Sequence, residues 1–161
     1  MTYIQNKKIQ NYVHHVDTNF TKEIISTSLE YYPGTEVIYT PPADASKVIY
    51  ECNLQVAWSP DASTTYLSTR LQYSDNNGSS WNDIDGTRLF EGSNSAQSGA
   101  DYDWYNYFWI FSLDSWSGER KLRLAGRAQS VSREGTIGRS YNANATEGVG
   151  SCPHVSIYSI L

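Results

Sequence analysis

Residues Asp101–Leu113 read DYDWYNYFWIFSL. Along an extended chain, successive side chains point to opposite faces. Trp104, Phe108 and Ile110 therefore share one face, and Tyr105, Tyr107, Trp109 and Phe111 share the other. A strand with one wet face alternates apolar and polar residues, whereas this stretch is apolar on both. It predicts a strand in a sheet covered twice, once by its own core and once by another surface. In a chain of 161 residues, the second cover is expected to be another copy of the same chain.

The flanking sequence repeats the strand pattern in simpler form. In Val48–Trp58, Val48, Tyr50, Cys52, Leu54, Val56 and Trp58 point one way, and Glu51, Asn53 and Gln55 the other. Thr65–Ser74 predicts Leu67, Leu71 and Tyr73 inward, with Arg70 and Gln72 outward. Lys121–Gln129 alternates again, and Glu36–Thr40, Trp81–Phe90, Ile137–Tyr141 and Pro153–Leu161 read as shorter strands. Pro33-Gly34, Pro41-Pro42 and the stretches Ser59–Ser63 and Asp75–Ser80 punctuate them as turns. About eight strands with short polar connections predict an all-β fold, an antiparallel β-sandwich of jelly-roll type. No repeat of fixed period suggests a propeller or solenoid.

Residues 1–30 differ in character and are expected to form an N-terminal arm or attachment segment, with the sandwich spanning 31–161. Ile9, Val13, Val16 and Phe20 follow the 4, 3, 4 spacing of a helix face. Asn11, Thr18, Asn19 and Thr21 are poor helix formers, so a short helix competes with an extended arm. The arm is preferred, because so short a self-associating helix is marginal alone.

Aromatic residues make up 14% of the chain and charged residues 18%, opposite to the bias of a disordered chain. The net charge of −5 gives no field for a nucleic-acid partner. The mean hydropathy is −0.53 and no long apolar run exists, so no membrane partner is expected. The opening MTYIQNKKIQ lacks a signal-peptide core, so the product is expected to stay in the cytoplasm of the cell that makes it unless released by lysis or another route. Cys52 and Cys152 are expected as separate thiols, with a bridge as the alternative.

No catalytic constellation is visible, so the chain is expected to be no enzyme and to use no cofactor. Ser74–Trp81, SDNNGSSW, resembles the Asp-box turn with Asn76 in the acidic position. Asn76 is expected to bond nearby backbone N–H groups, Gly78 to take positive φ and Trp81 to pack over the hairpin. A single copy argues for a well-formed hairpin and not for a glycosidase. The acidic pairs Asp83/Asp85 and Asp101/Asp103 suit solvated turns better than a metal or catalytic pair. His14 and His15 diverge on a strand, His154 is remote in sequence, and no zinc set is readable. Exposed aromatics can stack on sugars or anchor an interface. Trp58, Trp116 and Tyr141, near loops, are the possible ligand residues.

The segments EVIYTPPADASKVIYECNLQVAW, LQYSDNNGSSW and PHVSIYSIL resemble the trimeric jelly-roll heads of tailed-phage structural proteins, which are similar to C1q and tumour-necrosis-factor domains. The resemblance covers about residues 36–161. It implies that Val48–Trp58 and Pro153–Leu161 are neighbours, with Cys52 and Cys152 near each other. It also implies that Trp104–Phe111 faces a threefold axis, with Trp104, Tyr105, Tyr107, Trp109 and Phe111 at the subunit interface. The implied function is a non-enzymatic capsid decoration or cement protein, a homotrimer on a bacteriophage virion. Ile9, Val13, Val16 and Phe20 would hold it to the major capsid protein or another virion protein. The alternative is a receptor- or glycan-binding head of a fibre or spike, recognising through Glu91–Ala100 and Ser130–Gly150.

Overall fold

The computed structural model describes residues 8–17, 23–59, 65–93, 103–129, 135–138 and 151–161. In chain order the strands are β1 (Ile9–Val16), β2 (Glu23–Ile25), β3 (Glu30–Tyr31), β4 (Val37–Tyr39), β5 (Lys47–Trp58), β6 (Thr65–Ser74), β7 (Asn82–Asp83), β8 (Leu89–Ser93), β9 (Asp103–Asp114), β10 (Arg120–Ala128), β11 (Gly135–Ile137) and β12 (His154–Ile160). The long strands coincide with the alternating stretches, because each places its apolar parity against a common core. Trp81–Phe90, read as one weak strand, instead holds β7, the start of β8 and a turn between them. That turn is pinned to β6: the Ile84 amide donates to the Leu71 carbonyl, and the Leu71 amide donates to the Thr87 hydroxyl at 3.1 Å.

Two antiparallel sheets face each other. In the first, β5 pairs with β9 on one edge and with β12 and β11 on the other, with β1 beyond β12 and β2 beyond β11. In the second, β10 lies between β6 and the pair β3 and β4, and β6 carries β7 and β8 on its far edge. Taking β1, β4, β5, β6, β8, β9, β10 and β12 as eight positions, the orders are first-eighth-third-sixth and second-seventh-fourth-fifth. That interleaving is the jelly roll. Val48–Trp58 and the terminal strand are neighbours, Cys52 standing opposite Val155.

The core lies between the sheets. Val48, Tyr50, Cys52, Leu54, Val56 and Trp58 of β5 meet Leu67, Leu71, Leu122 and Leu124 across it, all at 0% exposure. Burial of side chains of this size stabilises the fold by about 1.5–3 kcal/mol each. A polar link crosses the interior at Thr35. Its hydroxyl donates to the Tyr32 carbonyl at 2.6 Å and accepts from the Leu124 amide at 3.1 Å, while its carbonyl accepts the Tyr50 hydroxyl at 2.6 Å. The Pro33-Gly34 turn, with Gly34 at φ 77°, thereby ties β5 of one sheet to β10 of the other.

The extended reading of the N-terminal segment holds over Ile9–Val16, and there the segment is part of the sandwich. β1 pairs with β12 from Ile9↔Ile160 to Val16↔His154, with a bulge between Gln10 and Val13 where Asn11 takes φ 49°. The three apolar residues of the expected helix face do not share a face here: Ile9 and Val16 stand opposite Ile160 and His154 on the outer side, and the bulge puts Val13 opposite the buried Ile157. Phe20 lies outside the described residues. The division into 1–30 and 31–161 thus runs through one sheet, because the ladder to β12 satisfies β1's backbone groups within its own chain.

Candidate functional site

The stretch Trp104–Phe111 is two-faced, as its sequence requires, but its faces are used in the opposite sense to the resemblance. Register with β5 sets Tyr107 opposite Leu54, Trp109 opposite Cys52 and Phe111 opposite Tyr50. These are core positions, and Tyr107, Trp109 and Phe111 are 7%, 3% and 6% exposed. Tyr105 shares their face, is partly buried and packs against that core. Tyr105, Tyr107 and Trp109 form a stacked ladder with centroid spacings of 6.3 and 5.5 Å. They are therefore interior residues, and of the proposed interface set Trp104 alone points outward. The outward parity is instead Trp104, Phe108 and Ile110, with Phe108 60% and Ile110 56% exposed. Sequence periodicity separated the two faces but could not tell which was inside. The larger ring set is inside because only the gap between the sheets is deep enough to bury it.

Around Phe108 and Ile110 the outer face of this sheet is continuous. Ile49 and Glu51 of β5 follow next to β9, then Tyr158 and Ser156 of β12, then Tyr12 and His14 of β1. Tyr12 stacks on Tyr158 at 6.0 Å. The Ser156 hydroxyl lies 3.0 Å from the Tyr12 hydroxyl and 3.1 Å from His14 Nδ1. His14 and His154, distant in sequence, have ring centroids 5.6 Å apart. Two ligands do not close a zinc site, and no group of three or more such residues occurs among the described residues. The charged groups of the face are Lys47, Glu51 and Asp114. Lys47 bonds Asp114 at 2.5 Å, and the Tyr158 hydroxyl donates to Glu51 at 2.9 Å. Burial and the neighbouring Glu51 carboxylate push the Tyr158 phenol up. Ile9 is 58% and Val13 40% exposed on the flanking β1 edge, and Val16 is partly buried.

The β9 backbone adds a second feature. Its strand runs from Asp103 to Asp114, and among the described residues it pairs with β5 alone. An uncovered edge of this length beside exposed apolar side chains is what natural sheets cover or blunt.

The possible ligand residues fare differently. Trp58 is fully buried, and its indole N–H donates to the Tyr107 hydroxyl at 3.1 Å. It is a core residue, since β5 ends with its last inward position still under β11. Tyr141 lies outside the described residues. Trp116 does reach a cavity, of about 300 Å³, at the end of the sandwich between β9, β10 and the turn after β7. Its ring meets the edge of Tyr39 at 6.2 Å, and its buried Nε1 has no hydrogen-bond partner.

The hairpin Ser74–Trp81 forms as its sequence requires. The Asn76 side-chain Oδ1 accepts the Ser80 amide at 3.0 Å, the Ser74 hydroxyl accepts the Gly78 amide at 2.8 Å, and Gly78 takes φ 90°. Trp81 lies back over the sheet, where the Arg123 guanidinium covers its ring at 3.8 Å. Of the acidic pairs, Asp83 is held by Arg70 and by Gln72. Burial works against its charge, but those hydrogen bonds and the charges of Arg70 and Arg88 hold the carboxyl below its usual range. That is a structural role. Asp85 lines the end cavity, and Asp101 lies outside the described residues.

No protein-family model matches the chain, and no curated protein matches its sequence. Similar solved structures include dimeric latent PorU from Porphyromonas gingivalis, 7% identical over 94% of this chain, with a TM-score of 0.43. The chain spans 13% of that protein. They also include the Eiger TNF of S. frugiperda, 11% identical, with 88% of this chain and 93% of that one covered and a TM-score of 0.35. The jelly-roll assignment rests on the strand order of this chain itself.

Both cysteines are free. Burial pushes the Cys52 thiol well up, whereas Cys152 is only partly buried. Iodoacetamide is expected to modify Cys152 in the folded protein and Cys52 only once the protein unfolds, because the thiolate is the reacting species. Peptide mass spectrometry of a time course checks this; early labelling of Cys52 would contradict the burial.

Proposed function

We propose that the chain is a non-enzymatic structural protein that assembles with copies of itself through the outer face of the β1–β12–β5–β9 sheet. The observation that carries this reading is the exposure of Phe108 and Ile110, 60% and 56%, on a strand whose far edge is uncovered among the described residues. Water is a poor solvent for such a patch. A second copy is the fitting occupant because the face carries little charge: Lys47 and Asp114 pair, leaving only the Glu51 carboxylate, which accepts from the neutral Tyr158 phenol, while the whole molecule carries −5. Two such molecules approach with little repulsion there and more elsewhere, which favours this face for contact.

The finer reading is a homotrimeric capsid decoration protein on a virion, and it rests on the resemblance of the strands and their order. In that role the assembly strengthens a shell by binding only its assembled form, with several weak attachments acting together. Attachment to the major capsid protein would have to leave β1 in its own sheet.

Sedimentation equilibrium is the direct test. The expected mass is a multiple of the 18.2 kDa chain, threefold for the finer reading; a monomer at all concentrations overturns the proposal. Phe108→Asp and Ile110→Asp are each expected to weaken association by about 2 kcal/mol or more, with the urea midpoint of the isolated chain nearly unchanged because neither side chain belongs to the core. Placement on a particle is checked by whether the protein stays with intact virions through a density gradient.

A further inference from the structure

We propose that the end cavity is a binding site for a single neutral pyranose ring, such as the terminal sugar of a surface glycan. The cavity, about 300 Å³, is lined by Trp116, Leu113 and Leu122 on its apolar side and by Asp85, Ser112 and Arg120 among its polar groups. That volume stands at the lower end of small-molecule sites, roughly 300–1,000 Å³, and suits one ring better than a chain of them.

Arg120, Asp114 and the backbone that carries Asp85 are held before any ligand arrives. Arg120 donates from Nε to Asp75 at 2.6 Å, and its guanidinium lies 4.6 Å from the Tyr73 ring centroid and 5.3 Å from that of Trp116. Asp85 sits in a turn anchored to β6, where the Ile84 amide bonds the Leu71 carbonyl and the Leu71 amide bonds the Thr87 hydroxyl. Asp114, also on the rim, is held by Lys47. A wall of this kind offers carboxylate acceptors, one cationic donor and a hydroxyl beside the Trp116 indole, with the buried Leu113 and Leu122 beneath it.

A pyranose matches that division. Its hydroxyls both donate and accept, so one ring edge uses the carboxylates and the guanidinium together. Its C–H face is apolar and meets the Trp116 ring. A simple anion would meet Asp85 and Asp114, and a simple cation would meet Arg120, so neither is matched as well. The site is at the end of the sandwich, away from Phe108 and Ile110, and meets the outer sheet face only at its rim, through Ser112 and Asp114.

The test is saturation-transfer NMR on the intact chain with free glucose, galactose and N-acetylglucosamine, together with the Trp116 indole resonance. A single ring in an open site is expected to bind with a dissociation constant of about 1 mM. At least one sugar should receive saturation and shift the Trp116 resonance. Asp85→Asn should weaken it about tenfold, the loss of one charge-assisted bond. Trp116→Phe is the second variant and should weaken binding while the urea midpoint shows that the fold persists. Absence of transfer to all three sugars overturns the proposal. So does binding that survives both substitutions unchanged, or binding of butylamine in place of the sugars.

Discussion

Alanine in place of Gly126 is expected to destabilise the protein by about 3 kcal/mol, the upper part of the range for overpacking a filled interior. Gly126 is buried on β10 opposite Thr69 of β6. A methyl group there would come within 2.5 Å of the Ser68 carbonyl oxygen and closer still to the Tyr32 hydroxyl. The tyrosine cannot simply swing away, because its own backbone is tied to β10 through the Leu124 carbonyl and to the Thr35 link. The Ser68 oxygen belongs to a strand in an eight-rung ladder from Ser74 to Leu67. Urea unfolding of the two proteins reads the difference. Tyr32→Phe, which removes the clashing hydroxyl and keeps the ring, should recover only part of it in the Gly126→Ala background, since the backbone clash remains; a Gly126→Ala variant as stable as the parent would refute this packing.

Truncation of Trp58 to alanine should cost about 3–5 kcal/mol, the range for removing a buried tryptophan or phenylalanine. The indole is fully buried, and the Tyr107 hydroxyl would lose its donor. The ring also explains a glycine. β11 crosses β5 with Gly135 opposite Trp58, and a methyl group at Gly135 would stand 2.6 Å from the Trp58 ring. Gly135→Ala should therefore be severe in the parent and much milder in Trp58→Phe, which withdraws the clashing edge. A double-mutant cycle by urea unfolding should show a coupling of about 1 kcal/mol or more, whereas additive losses would place Gly135 away from the ring.

Much of this architecture was legible because a pleated strand alternates strictly. Val48–Trp58 announced its inward set residue by residue, and Ser74–Trp81 announced its hairpin through Asn76 and Gly78. Less legible was anything requiring knowledge of which surfaces meet. Nothing local distinguishes Tyr107 from Phe108 as the buried ring. His14 and His154 carry no signal of proximity, and the notch that admits Trp58 beside Gly135 involves strands far apart in the chain. The helical spacing of Ile9, Val13 and Val16 misdirected: the segment is a strand, and the bulge at Asn11 turns Val13 to the face opposite that of Ile9 and Val16.

The sequence by itself determined the all-β class, the positions of the long strands and the presence of one strand apolar on both faces, since these follow from side-chain period and turn chemistry within short windows. Only the tertiary structure decided which face of β9 is core and that Ile9–Val16 belongs to the sheet. The same holds for the gathering of Trp116, Asp85 and Arg120 around one cavity. Each of these depends on pairing between segments far apart in sequence, where the depth between two sheets and the register of their ladders, not local preference, set what is buried.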